Sequence, residues 1–294
     1  YSQLVNVVPK SAAPHLRLAG VHMLMQNNTA AADDLKRAVE LQPDMLQARL
    51  AQVELAMRMG RADEALAMAR QIQKINDKSP VGYATEGDVL MAQKKPAQAL
   101  PAYDKALALV KAPEILVKSL QAMTQSGKGK EAQARAAQWL KDHPDDVLIG
   151  MYVAENDLAT KDYKAAIPRL EAIVKRTPNN AAALNNLAYA YQQVKDPRAL
   201  ATAEQAYKLA ANSPGVMDTL GWLLVEQGNT SRGLPLLQKA SSLAPKSSEV
   251  RYHLAVGLSK SGDKAGARKE LDKLLSEDKT FAQADEARAL LKAL

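Results

Sequence analysis

The chain has 294 residues, of which 47% are apolar, 24% charged and only 4% aromatic, and it carries a formal net charge of +7. This is the balance of a globular protein of one large or two ordinary domains. No apolar run approaches the eighteen or so residues that span a bilayer, and the lack of cysteine excludes disulfides, thiolate metal sites and cysteine nucleophiles. The charge is spread along the chain: residues 44–79 hold six basic and five acidic side chains, residues 147–180 five and four. A nucleic-acid binder concentrates its charge in a patch or stripe, so this pattern reads as a solvated surface.

In chain order, prolines set a register. Pro9 and Pro43 are 34 residues apart, as are Pro144 and Pro178, and two single-residue deletions bring Pro245 into the same phase. Units then start near Ala12, Leu46, Pro80, Pro113, Val147, Ala181, Pro214 and Ser248, each predicting a helix, a turn and a second helix. Position 20 of the units is a column of small residues: Ala31, Ala65, Ala99, Ala132, Ala166, Ala199, Gly233 and Ala267. Position 8 is mostly small too, and such columns let paired helices approach closely. Gly60, Gly127, Gly228 and Gly262 share a turn position, where a positive φ is easily met. The fourth unit, with Ser119, Leu120 and Trp139 in place of typical packing residues, is the most degenerate. Pro96 and Pro197 fall at helix starts, where a missing N–H costs nothing. Pro101, Pro168 and Pro235 fall inside second helices, predicting a bend or a late start in those three.

The ends read differently. Tyr1–Val8 is expected to close a second helix whose partner lies upstream, so residues 1–11 form the tail of a truncated repeat and residues 12–279 hold eight units. Residues 280–294 read as a capping segment, with Phe281–Leu294 as one amphipathic helix shielding the last hairpin.

The stretch PGVMDTLGWLLVEQGNTSRGLPLLQKASSLAP, residues 214–245, is the clearest unit. Gly228 and Asn229 make its turn, and Thr230 or Ser231 is expected to cap its second helix. Leu220, Gly221, Leu224, Gly233, Leu237, Ala240 and Pro245 stand at the packing positions of the tetratricopeptide repeat, which this unit resembles. The resemblance implies an all-α, right-handed solenoid of helical hairpins. It also implies that positions 2, 5, 9, 12 and 13 of each first helix line a concave groove. Those positions place Met23, Met57 and Met91 along the early part, a thioether stripe suited either to varied apolar ligands or to filling gaps between helices. Further on they place Asn185, Tyr189, Gln192, Asp218, Trp222, Glu226 and Tyr252. Aromatic faces beside amides and carboxylates suit an extended peptide or a sugar ring, or they brace neighbouring hairpins. Glu54, Asp88 and Glu155 make the early wall acidic, favouring basic or neutral ligands over anionic ones.

Nothing points to catalysis. His15 and His22 lie seven apart on one helix, not at the four-residue spacing that zinc sites use. His143 and His253 read as surface or core, and no G-x-S-x-G, P-loop or H-E-x-x-H motif occurs. Neither metal nor cofactor is expected.

The last third, DPRALATAEQAYKLAANSPGVMDTLGWLLVEQGNTSRGLPLLQKA and then EVRYHLAVGLSKSGDKAGARKELDKLL, resembles the C-terminal part of the large repeat protein of the bacterial PEP-CTERM/exosortase system. The resemblance covers residues 181–294. It implies a periplasmic or envelope location, often as a lipoprotein, and a scaffolding part in exopolysaccharide production, export or protein sorting. The expected partner is a protein or extended peptide held in the groove, with no nucleic acid and no membrane span. The rivals are a carbohydrate-binding scaffold holding exopolysaccharide on Tyr189, Trp222 and Tyr252, and a spacer.

Overall fold

The structure, a computed structural model, describes residue 8 and residues 10–294. All but the last residue of the segment expected to close an upstream helix therefore lies outside the described residues. Among those described there are seventeen helices and no strands. The first four hairpins pair α1 (Ala12–Leu24) with α2 (Asn28–Leu41), α3 (Leu46–Arg58) with α4 (Ala62–Ile75), α5 (Pro80–Ala92) with α6 (Pro96–Leu109), and α7 (Pro113–Gln125) with α8 (Gly129–Asp142). The next four pair α9 (Val147–Ala159) with α10 (Tyr163–Arg176), α11 (Ala181–Gln193) with α12 (Ala199–Leu209), α13 (Pro214–Glu226) with α14 (Thr230–Leu243), and α15 (Ser248–Lys260) with α16 (Lys264–Glu277). A final helix, α17 (Ala284–Ala293), follows. The chain forms two compact units, residues 1–149 and 150–294.

The turn inside every hairpin is one backbone device used eight times. The residue at position 15 has φ between 57° and 93° in all eight: Gly60, Gly127, Gly228 and Gly262, and also Gln26, Lys94, Lys161 and Lys195. The residue after it donates its N–H to the carbonyl five residues back, as Arg61 does to Ala56 and Asn229 to Leu224. This is the Schellman closure that satisfies the orphan carbonyls of the first helix. In the four hairpins without glycine, the left-handed residue carries a Cβ penalty of roughly 1–2 kcal/mol, partly offset by the smaller entropy it loses on folding. Lys94→Gly and Lys195→Gly are each expected to raise the unfolding free energy by about 0.5 kcal/mol, read as a higher urea midpoint at unchanged slope.

Small columns set the helix spacing. Ala19, Ala31, Ala65, Ala99, Ala132, Ala154, Ala166, Ala188, Ala255 and Ala267 are all fully buried. Against them stand Leu35, Leu170, Leu237 and Leu271, also fully buried, each contributing about 2 kcal/mol by leaving water. The α5–α6 hairpin inverts the proportion: Gly87 makes room for Tyr103, and a Cβ at Gly87 would lie 2.4 Å from the Tyr103 ring. In α13–α14 both partners are glycine, and a Cβ at Gly233 would meet the Gly221 carbonyl oxygen at 2.6 Å.

Three local expectations are corrected. The helices holding Pro101, Pro168 and Pro235 start no later than other second helices, at Pro96, Tyr163 and Thr230. Their first turns are tightened: Gln98, Ala165 and Arg232 each donate to the carbonyl three residues back, the 3₁₀ pattern common at helix starts. Thr230 is the first helical residue and Asn229 the cap position, whose side chain accepts no capping bond and takes the Ser231 hydroxyl instead, at 3.2 Å. The terminal helix spans only Ala284–Ala293; Phe281 sits before it, packed with Leu290, Leu291 and Leu294 over Leu271 and Ala287.

Candidate partner-binding face

Several neighbouring first helices touch, as α11 with α13 and α13 with α15, whereas among the described residues no comparable contact joins neighbouring second helices. That asymmetry puts the first helices on the inner, tighter side of the stack. In the unit 150–294 this inner side carries a row of half-buried aromatics. Tyr189 on α11 meets Tyr163 edge-on at 6.2 Å between centroids. Trp222 on α13 lies 6.4 Å from Tyr252 on α15, and Tyr252 lies 6.1 Å from Phe281. Gln192 donates to the Glu226 carboxylate, linking α11 to α13 along the same side.

Burial is felt by several side chains of these helices. Glu155 is exposed to solvent, yet its carboxyl is pushed above the usual carboxylate range by desolvation. A side chain that water reaches but that is surrounded on several sides by protein behaves in this way. The Tyr189 hydroxyl is raised first by burial, then by its Tyr163 neighbour, and also by the charge of Glu249 on α15. Tyr252 is raised by burial and by Glu286. Tyr189 on α11 senses Glu249 two first helices away, so the two sit across one shared surface.

The structure divides the residues read from the sequence. Tyr189, Trp222, Tyr252, Gln192 and Asn185 are partly buried and Glu226 is exposed, all six on first helices. The Asn185 amide oxygen is buried without a donor among the described residues. Asp218 is not a free groove acceptor. It is buried, and both its oxygens meet His253 Nδ1, at 3.0 and 2.9 Å. His253, read from the sequence as surface or core, is buried; its unforeseen role is to stack on Trp222 at 4.2 Å and 15°, which fixes the indole. The signal was the 35-residue separation, one repeat plus one residue, which sets adjacent first-helix positions side by side. Met23 is likewise corrected: it is buried with Ala19, Leu35 and Leu55. Met57 and Met91 pack against hydrophobic clusters while staying partly open.

Other features lie elsewhere. His15 and His22 each turn Nδ1 to Asp34, at 3.3 and 2.9 Å, and so tie α1 to α2. Among the described residues no group of three His, Cys, Asp or Glu could hold a metal ion, and no helix is long and apolar enough to cross a membrane. A shallow cleft between α12 and α14, lined by Tyr207, Arg232 and Pro235, opens on the second helices, away from the aromatic row.

Comparison with known proteins agrees with this architecture. Residues 16–80 and 154–214 match one family model described as tetratricopeptide repeat, and residues 224–294 match another of the same description. The chain belongs to the tetratricopeptide repeat (TPR) proteins. Over 233 residues, 78% of the chain, it is 27% identical to the TPR repeat-containing protein PA4667 of Pseudomonas aeruginosa, and spans 34% of that relative's length. Among solved structures, one in the APC/C hetero-tetramer Cut9-Hcn1 aligns with a TM-score of 0.66 at 13% identity, over 99% of this chain and 57% of that one. A tetratricopeptide repeat protein from Parabacteroides merdae aligns at 0.58 and 15% identity over 84% of this chain and 98% of its own. The type IV pilus biogenesis factor PilW aligns at 0.53 and 18% identity over 71% and 98%. At these identities the structural likeness speaks to the fold alone. As a TPR solenoid, the chain is built as a protein-interaction scaffold.

Proposed function

We propose that the chain is a non-catalytic scaffold of the bacterial envelope that holds a partner protein, in extended form, along the first helices of residues 150–294. The observation that carries the reading is the row Tyr189, Trp222 and Tyr252, rings left partly open on the inner side where a packed core would have closed them. Rigid hairpins hold these rings in fixed positions, so binding loses little entropy. The envelope setting, in exopolysaccharide production or export or in PEP-CTERM protein sorting, is supported by the resemblance of residues 181–294 to that system's repeat protein. The same rings suit a second ligand class, since sugar rings stack on aromatic faces.

The test is affinity capture from a bacterial envelope extract, with the chain as bait beside a variant carrying Tyr189→Ala, Trp222→Ala and Tyr252→Ala. Protein and sugar are quantified in both eluates. Loss of a specific protein with the variant is the expected result. Loss of polysaccharide alone replaces the proposal with the carbohydrate scaffold, and identical eluates remove the aromatic row as the site.

A further inference from the structure

The charge that looks evenly spread along the chain is sorted by helix in the second unit. Among residues 150–294, the first helices α9, α11, α13 and α15 carry five carboxylates against two cations, a net of −3. Their partners α10, α12, α14 and α16 carry eleven cations against five carboxylates, a net of +6. Neither inner cation is free: Arg251 is buried between Glu270 and Glu277, and Lys260 donates to the Val225 carbonyl at 3.3 Å. Three inner carboxylates, Glu155, Glu226 and Glu249, have no lysine or arginine within ion-pair distance among the described residues. Acid with no cation paired to it therefore lies on the same first helices as the partly open rings of Tyr189, Trp222 and Tyr252, in a unit whose second helices are basic.

We infer that this inner face recognises a segment of a partner protein rich in lysine or arginine, its cations set against the Trp222, Tyr252 and Tyr189 rings and closed by Glu226 and Glu249. The inference rests on the scaffold reading above and adds the chemistry of the partner. An ammonium or guanidinium group over an indole face is drawn by the ring quadrupole, and the Glu226 carboxylate, one turn along the same helix from Trp222, completes the pairing where neighbouring protein leaves water to screen less than at an open surface. The desolvation that already penalises the Glu155 carboxylate acts in the same sense: a bound cation would relieve it. Anionic ligands meet repulsion on this face although the chain as a whole is positive.

The overall charge makes the test discriminating, because non-specific attraction to a chain of +7 favours an acidic peptide. Three fluorescein-labelled peptides of equal length, alternating glycine with lysine, glutamine or glutamate, are titrated with the full chain. Anisotropy is read at low and at physiological ionic strength. The lysine peptide is expected to bind about tenfold or more tightly than the glutamine peptide, with the glutamate peptide weakest. Trp222→Ala and, independently, Glu226→Gln should each weaken the lysine peptide several-fold. Glu226 is exposed, so its substitution leaves the fold intact and keeps the test valid should Trp222→Ala disturb packing. A tightest-binding glutamate peptide, or lysine-peptide binding indifferent to both substitutions, overturns the inference. Equal binding of the lysine and glutamine peptides, lost together in Trp222→Ala, overturns the cationic preference and leaves the scaffold reading standing. Absence of binding by all three overturns the inference, and the envelope capture then judges the scaffold reading alone.

Discussion

Gly87→Ala is expected to destabilise the chain by about 2 kcal/mol. Helix propensity alone predicts the opposite, a gain of about 1 kcal/mol from replacing glycine inside α5. The packing argument prevails because the new methyl would stand 2.4 to 2.7 Å from three atoms of the Tyr103 ring. That ring cannot step aside. It is fully buried, and its hydroxyl donates to Asp88 at 2.9 Å. The remedy is written elsewhere in the chain: Ala19 with Leu35, Ala154 with Leu170 and Ala255 with Leu271 occupy the same two positions. Tyr103→Leu should therefore be costly alone and restorative with Gly87→Ala, giving a coupling energy of about 1–2 kcal/mol in a double-mutant cycle. Urea unfolding followed by helical circular dichroism and Trp139 fluorescence reads it. A Gly87→Ala variant as stable as the parent would sink the account.

The second large effect is expected at Arg251, an arginine with 4% of its surface exposed. Its Nε donates to Glu270 at 2.6 Å and one terminal nitrogen donates to Glu277, while the other terminal nitrogen is buried without a partner. Removing both carboxylates, as Glu270→Ala with Glu277→Ala, strands a buried cation and should cost about 3–4 kcal/mol. Arg251→Met should change stability by less than about 1 kcal/mol, because it removes the desolvated charge together with its unmet donor. Met217 and Leu184 already fill the matching position on α13 and α11. Trp222 fluorescence in urea reports both variants, as its indole is stacked on His253 of the same helix as Arg251. If Arg251→Met costs as much as the double carboxylate variant, the ion pair stabilises the hairpin outright, and the reasoning from desolvation fails.

These pairs show which parts of the fold were legible in the sequence. A close approach of two helices demands small side chains at fixed places, so Ala31, Ala65, Ala99 and their equivalents announced the hairpins. Conformation at the turns was half legible. Glycine at 60, 127, 228 and 262 signals a left-handed residue, whereas Gln26, Lys94, Lys161 and Lys195 adopt it because the closure around them over-determines it. The prolines misled about where their helices begin, since those holding Pro101, Pro168 and Pro235 start at the same place in the repeat as other second helices. At the candidate face, position along the repeat found the aromatics but could not tell Asp218 from Glu226. One carboxylate is consumed by His253 of the next hairpin and the other stays open, a difference made by a contact 35 residues away. The sorting of charge was hidden for a related reason: sums taken over whole units cancel the opposite signs of the two helices.

The uniform turn has a consequence for how such a chain can change length. Every hairpin reverses direction through the same left-handed residue and the same closing bond, so a unit carries its own corner with it. Duplicating or deleting one whole unit joins a corner to an equivalent corner and asks no new conformation of the backbone. Loss of part of a unit breaks a closure and exposes apolar columns to water. The permitted step is thus a whole repeat. Reach can grow in quanta of one hairpin while the spacing of side chains on the inner helices stays in register.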